Sequence, residues 1–350
     1  MSVLTALRAP TSALLITRLA AEHGLTESDC LRHSGLSADH LRRPGALITG
    51  AQEIAIITNL LDALPDTPGL GFAAGLRYHA TAHGIWGYAL ISSRSLRDAI
   101  DVGLRFLDLS YSFCRITTTE SGRDLALVIT PEVGDPRVAR FVAERDIGII
   151  ATLHRDITGP EAEMRAVRLP YPRPPTARRI AETLSLTPNY GQQDYAAVFD
   201  AATVDAPLPQ ADPYTAALTT DQCSDLLSRR RARTSLAGQV REVLFAGRRG
   251  ALSETETATA LHLSTRTLRR QLAAEGQSYR TLLDEGRSAL ARELLSGTDL
   301  PTAAIADRLG YSEAASFTRA FQRWTGSTPL RWRHAQRRGD MTPPDPAAIR

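Results

Sequence analysis

The 350-residue sequence predicts an α+β first domain followed by an all-α domain in which two helix-turn-helix units are joined by a helix. Three observations predict it. Helical apolar periodicity lies on both sides of a β-branched hairpin in the first part of the chain, a helix-bend-helix pattern occurs twice in the last third, and the charge changes sign between the two regions. Residues 1–224 hold 20 Arg against 25 Asp and Glu, whereas residues 225–338 hold 20 Arg against 11. A basic third attached to an acidic partner is the charge footprint expected when only one part of a chain meets a polyanion. All 41 basic side chains are Arg, a group whose planar fork suits phosphate and guanine.

The elements follow in order. From Thr11 to about Leu64 the chain reads as helices, clearest in "TSALLITRLAAEHG" and "AQEIAIITNLLDAL", each closed by Gly or Pro. "SLRDAIDVGLRFLDLSYSF" continues as an amphipathic helix. "FCRITTTES" and "RDLALVITPE" are rich in β-branched residues around a Ser-Gly turn, the pattern of a hairpin. "DPRVARFVAERDIGIIATLHRDITG" returns to helix with Pro136 in its first turn. Pro207, Pro209 and Pro213 mark the end of the domain, and a helix from about Tyr214 to Arg231 is expected to bridge to the next and to help the protein dimerise. Its "SRRRART" run reads as a solvated face.

In the last third, Ser253 and Glu256 have capping-box spacing, and Leu261 and Leu263 flank a tight turn. Ser264 can cap a helix that sets Arg266, Arg269 and Arg270 on one face and Leu268 and Leu272 on the other. The pattern then repeats. Thr302 to Leu309 reads as a short helix and Gly310 as a bend. Ser312 can cap a helix from about Glu313 to Thr325, and Gly326 can end it in the left-handed conformation. On that helix Ser316, Arg319 and Arg323 face away from Phe317, Phe321 and Trp324, at about 100° per residue. Between the units, Leu282, Leu283, Leu290, Leu294 and Leu295 give the joining helix apolar contacts for both, with Gly297 closing it.

The run Ile305-Ala306-x-x-x-Gly310-Tyr311-Ser312, then Phe317-x-Arg319-x-Phe321, then Gly326-x-x-Pro329 and Arg333, resembles the AraC/XylS transcription regulators, as does the upstream Leu263-Ser264-x-Arg266-x-Leu268-x-Arg270. The resemblance covers about Ser235 to Arg333. More loosely, "GLGFAAGLRYHATAHGIWGYALISSRSLRDAI" and "RDIGIIATLHRDITG" resemble the arabinose-binding-like effector domain of a branch of that family. The resemblance implies an effector-sensing and dimerisation domain over 1–205, a linker with a bridging helix over 206–234, a DNA-binding domain over 235–338 and a flexible tail over 339–350. It implies base contacts from Arg266, Arg269 and Arg270 and from Ala315, Ser316 and Arg319, with Thr265 and Arg323 placed for phosphate. Implied partners are double-stranded promoter DNA, a small-molecule effector, RNA polymerase and a second copy of the chain, with no cofactor.

The effector expectation rests on local composition. Aromatics are 6% of the chain, yet Trp86, Tyr88, Phe106, Tyr111 and Phe113 fall within 28 residues. Trp86, Tyr88 and Tyr111 are the expected walls, and Arg105 or His83 the polar anchor, for a small and partly apolar carboxylate.

Other functions find less support in the residues. His79 and His83 have i, i+4 spacing but no third ligand nearby, and Gly84 weakens the helix they would need, so no metal is expected. No nucleophile elbow, phosphate-binding glycine loop or paired-carboxylate motif occurs, so no enzyme is expected. Cys30, Cys114 and Cys223 are far apart and odd in number, which fits a reducing compartment. Arg8, Pro10 and Arg18 interrupt the N-terminal apolar runs, and no stretch approaches membrane-spanning length. The cytoplasm is therefore expected, with the protein on the nucleoid when bound to DNA. The alternatives are a nonspecific or ligand-independent DNA-binding protein and an enzyme domain fused to a helix-turn-helix.

Overall fold

The computed structural model describes residues 3–159, 164–244 and 251–338. Its contacts divide the chain into two compact units, Met1–Arg230 and Arg231–Arg350. The tail expected at 339–350 lies outside the described residues.

In the first unit a short ribbon, β1 (Leu7–Arg8) with β2 (Ile48–Thr49), accompanies the helices α1 (Thr11–Glu22), α2 (Glu27–Leu31), α3 (Ala38–Arg42), α4 (Gly50–Ala63), α5 (Leu70–Gly75), α6 (Ile85–Ile91) and α7 (Leu96–Arg105). Thr49 begins α4 with a reciprocal cap, its hydroxyl accepting from the Gln52 amide while the Gln52 side chain accepts from the Thr49 amide. The expected hairpin is β3 (Cys114–Ser121) and β4 (Asp124–Pro131), turning at Gly122 with φ +60°. It joins β5 (Ala166–Arg168) and β6 (Tyr195–Asp200) in an antiparallel sheet of order β3-β4-β6-β5. The sequence reading contained neither β5 nor β6.

One sheet face, carrying Leu125, Leu127, Ile129, Ala197 and Phe199, packs into the main core with α8 (Pro136–Thr158). Asp135 caps α8, accepting from the amides of Arg137 and Val138 ahead of the Pro136 first turn. Against α8 lies α5. A Cβ on Gly75 would meet the Arg145 carbonyl oxygen at 2.1 Å, so only glycine lets the two backbones approach this closely.

After α9 (Ala177–Leu184) comes α10 (Pro213–Thr234), the expected bridging helix. It differs from a free linker, because Cys223 and Leu227 are buried in the first unit's core and the division between units falls at Arg230.

The second unit is helical: α11 (Leu236–Leu244), α12 (Glu254–Ala260), α13 (Thr265–Ala274), α14 (Tyr279–Gly297), α15 (Thr302–Arg308), α16 (Ala314–Thr325) and α17 (Pro329–Arg338). It has two cores, and α14 serves both, Leu282 and Leu283 in one and Leu290, Leu294 and Leu295 in the other. The expected capping box of Ser253 with Glu256 begins α12, and Ser264 caps α13 by accepting from the Thr267 amide. The expectation for Ser312 fails. The residue before α16 is Glu313, with no side-chain cap, because the chain stays extended one residue further and Ser312 lies outside the first turn. Gly326 ends α16 at φ +71°, in the left-handed region.

Candidate nucleic-acid interface and ligand cleft

Each helix-turn-helix presents one apolar and one basic face. In the first, Leu268 and Leu272 of α13 are fully buried, while Arg266, Arg269 and Arg270 are exposed and Thr265 is half-buried. Arg269 grips Glu254 of α12 with two hydrogen bonds, Nε at 2.7 Å and Nη2 at 2.6 Å. That guanidinium holds the Glu254 carboxyl below its ordinary pKa. Arg266 and Arg270 have no ion pair among the described residues.

In the second, Phe317 and Phe321 of α16 are fully buried and Trp324 is half-buried. Ala315, Arg319 and Arg323 are exposed, and Ser316 is half-buried. Arg319 Nη2 donates to Ser316 Oγ at 3.3 Å, and Arg323 Nη2 lies 3.4 Å from Asp284 on α14. The eight residues expected to meet DNA thus lie on the solvent sides of α13 and α16, on two units that share α14.

Other arginines hold this frame together. Arg287 donates to the Leu309 carbonyl at 3.0 Å and lies over the Tyr311 ring at 4.6 Å. Arg333 donates to the carbonyls of Leu295 at 3.3 Å and Leu300 at 2.6 Å. Both place positive charge where helix carbonyls lack partners, at the ends of α15 and α14. The sequence reading had Arg333 in its motif without this role and did not single out Arg287.

In the first unit the five residues expected to hold an effector do not meet. His83, Trp86 and Tyr111 do cluster, with ring centroids 4.9 Å apart for His83 and Trp86 and 5.5 Å for His83 and Tyr111. Tyr88, however, is 56% exposed, and Arg105 is exposed with its guanidinium 5.0 Å from the Phe106 ring centre. The reason is the helical period: α7 buries Leu96, Ala99 and Ile100, which turns Arg105 outward. His83 is buried and neither ring nitrogen has a hydrogen-bond partner among the described residues. Burial pushes its imidazole down to about 4, so it is neutral at pH 7 and is no charged anchor for an anion. His79 is exposed and pairs with Asp156 at 3.1 Å. Among the described residues no group of three or more His, Cys, Asp or Glu could hold a metal ion.

Nearby is an apolar cleft of about 80 Å³ between α6, α7, α8 and the sheet. Of the five, only Trp86 lines it, along with Leu90, Ile100, Gly103, Leu153, His154 and Phe199 among others.

Sequence reasoning also missed a buried polar cluster under the aromatic rings. Arg145 and Glu53 are both fully buried, with Arg145 Nη1 2.9 Å from Glu53 Oε1. Arg145 Nη2 and Arg8 Nη1 both donate to the Tyr111 carbonyl, at 2.5 and 3.2 Å. Ser12 donates to Glu53 Oε1 at 2.5 Å and shares a 2.7 Å hydrogen bond with the Tyr78 hydroxyl. The available signal was three charged residues in a row, Glu144, Arg145 and Asp146, inside an apolar helix; such a helix in a core must pair them.

Two helix-turn-helix units with arginine faces, following an α+β domain, define the class as a DNA-binding regulator with a separate N-terminal domain. Residues 24–208 match the arabinose-binding domain, N-terminal, of AraC transcription regulators, and residues 257–335 match a helix-turn-helix domain. An uncharacterized HTH-type transcriptional regulator of Mycobacterium tuberculosis is 33% identical over 320 residues, 90% of this chain and 93% of that protein. The ornithine utilization regulator of Pseudomonas aeruginosa is 32% identical over 324 residues, 91% of this chain and 93% of that protein. The crystal structure of the transcriptional regulator CdpR from Pseudomonas aeruginosa has a TM-score of 0.48 at 23% identity, covering 93% of this chain and 98% of that one. The chain belongs to the AraC family of transcription regulators.

Proposed function

We propose that this regulator is a one-component switch. Its first unit binds a small-molecule effector, and its two recognition helices, α13 and α16, read successive major-groove segments of one promoter site, about 34 Å apart. The observation that carries the reading is that both units are built on one helix, α14, with exposed arginines on each: Arg266 and Arg270 in the first, Arg319 and Arg323 in the second. In this reading Arg266, Arg269, Arg270, Ala315, Ser316 and Arg319 face base edges, and Thr265 and Arg323 hold phosphate. Ala315 offers no donor, so its part is apolar contact with a thymine methyl. The protein works as a cytoplasmic homodimer that recruits RNA polymerase. Exposed Tyr214 and Leu218, one turn apart on α10, support the dimer, since neighbouring apolar side chains on a helix favour burial against a second copy. The buried free thiols of Cys30, Cys114 and Cys223 suit a reducing cytoplasm.

The test is a binding titration of the full chain on the DNA upstream of its own gene, at several salt concentrations and against random-sequence competitor. Each phosphate neutralised contributes about −0.9 to the log-log salt slope, so a handful of arginine contacts gives a slope of several units. Preference for the promoter over competitor should persist as salt rises. A flat slope removes the DNA reading, and equal affinity for competitor turns it into nonspecific binding.

A further inference from the structure

The cleft between α6, α7, α8 and the sheet has walls of a single chemical kind. Leu90, Ile100, Leu153 and Ile157 give it an aliphatic interior, and all are less than a tenth exposed. Trp86 and His154 are the lining residues whose side chains carry a polar atom. The Trp86 indole N–H is buried without a hydrogen-bond partner among the described residues. His154 has no ion pair among the described residues, packs 5.0 Å from the Phe199 ring, and burial pushes its imidazole down to about 4, so it carries no charge at neutral pH. A sugar placed here would lose water from several hydroxyls and find partners for one or two, which is unfavourable for each one left unmatched. An ionised carboxylate or ammonium would face no counter-charge in the cleft. The match to an arabinose-binding domain therefore does not carry over to a sugar in this cleft.

Size points the same way. The volume of about 80 Å³ is roughly half the ~150 Å³ of a cavity that accepts benzene. It is too small for a peptide helix, about 10 Å across, and its walls are already interior surface rather than an exposed docking face. Half-buried Leu104, Leu107 and Ile150 mark its rim.

We propose that this cleft binds the short aliphatic part of a small neutral molecule, one with a single hydrogen-bonding group for the Trp86 indole or the His154 ring. The assignment rests on the ligand-sensing reading above and replaces the carboxylate anchored on Arg105 with an uncharged ligand. Because Ile100 and Gly103 of α7 and Leu153 and Ile157 of α8 line opposite walls, filling the cleft would fix the separation of these two helices.

Gly103 provides a clean block. A Cβ there would lie 3.4 Å from Leu90 Cδ2 and 3.7 Å from Trp86 Cζ2, both ordinary contacts. A Gly103→Leu side chain therefore enters the cleft without meeting backbone and gains helix propensity. Leu107→Trp at the rim is a second, independent block.

The experiment titrates the full chain with straight-chain primary alcohols from propan-1-ol to octan-1-ol, reading fluorescence and melting temperature, with L-arabinose and L-ornithine as polar comparators. Trp86→Phe identifies the signal from this site. Each added methylene should tighten binding about fourfold, equivalent to ~0.8 kcal/mol, until the cleft is full, and affinity should then level off. Gly103→Leu and Leu107→Trp should melt at or above the wild-type temperature, or close to it, and bind at least tenfold more weakly. The polar comparators should leave the Trp86 signal unchanged. A series without chain-length dependence overturns the proposal, and so do wild-type affinities in both blocking variants. Promoter affinity measured in the same samples separates the two readings. If alcohols bind as expected and DNA affinity stays constant, the cleft stands and ligand control falls. If the series is flat while another compound shifts DNA affinity, ligand control stands and the cleft falls.

Discussion

Arg269 on the first recognition helix and Glu254 on the helix before it are joined through both carboxylate oxygens, at 2.7 and 2.6 Å. The pair links α12 to α13, and it occupies a guanidinium that the family resemblance implies contacts a base. Arg270, one residue on, has no such tie among the described residues. Arg270→Ala should therefore cost roughly 1 to 3 kcal/mol of promoter affinity and relax preference at one base pair. Arg269→Ala should cost less, because a base contact by Arg269 must be exchanged for its contact with Glu254. Competition binding against a panel of single-base-pair variants checks both. If Arg270→Ala weakens binding equally on all sequences, Arg270 is a phosphate contact.

The opposite side of the second recognition helix is set by Phe317, fully buried with its ring centroid 5.7 Å from Phe321 and 5.8 Å from Tyr311. Removing a buried aromatic leaves a cavity that the neighbours fill only in part. Phe317→Ala should cost about 3 to 5 kcal/mol of second-unit stability, measured by denaturant unfolding followed at Trp332, which packs edge-on against Phe321. An unchanged midpoint would mean that the helix has been placed with the wrong face inward.

The second unit was legible because its signals are local. A Ser three residues ahead of Glu, a Gly after the last apolar position, and leucines on one side of a helix each act within a few residues, and α12, α13, α14 and α16 appear within a residue or so of where they were read. The first unit was legible only in part. The hairpin and α8 carry strong local patterns, whereas β5 spans three residues and β6, "YAAVFD", is buried at Ala196 through Phe199 and so lacks polar alternation. That the five expected effector residues do not converge has a related reason. A cleft made by α6, α7, α8 and three strands depends on how distant elements pack, and a count of aromatics along the chain cannot separate Trp86, which lines it, from Tyr88, which faces water two residues later.

His83 should make the first unit sensitive to acid. Its pKa falls from 6.5 to about 4 on burial, so between those values the unfolded chain binds a proton that the native state does not. Stability from this group is therefore present above about pH 6.5 and is lost as pH falls toward 4, by roughly 3 kcal/mol at most. Asp146 and Glu144 act in the opposite sense. Burial raises both carboxyls, so the native state takes up their protons first and gains stability on acidification. His83→Phe should reduce the loss between pH 6.5 and 4 without abolishing it, because burial also pushes the His154 imidazole down to about 4 and that group loses stability over the same range. Melting curves of both proteins across that range check it, and parallel curves would count against a buried neutral His83.

Gly75 and Gly148 provide the sharpest test of the first unit's packing. They face each other where α5 crosses α8: a Cβ on Gly75 would lie 2.1 Å from the Arg145 carbonyl oxygen and 2.8 Å from the Gly148 Cα, and one on Gly148 would lie 2.8 Å from the Phe72 carbonyl oxygen. These neighbours are backbone, which cannot rotate out of the way, so one methyl group must push the helices apart. The displacement would not stay local, because the segment of α8 that moves carries Arg145, whose fully buried guanidinium sits between Glu53 and the Tyr111 carbonyl. Gly75→Ala should thus cost about 3 kcal/mol or more, at or beyond the upper end of ordinary overpacking. Gly103→Ala, whose Cβ meets only side-chain atoms at 3.4 Å and beyond, should be neutral or stabilising. The two variants make the same chemical change in the same unit, so their difference isolates the close approach. Chemical denaturation of each, read by the Trp86 signal, should show an early transition for Gly75→Ala and a wild-type or later one for Gly103→Ala. Equal midpoints would mean that α5 and α8 do not cross at this distance in solution.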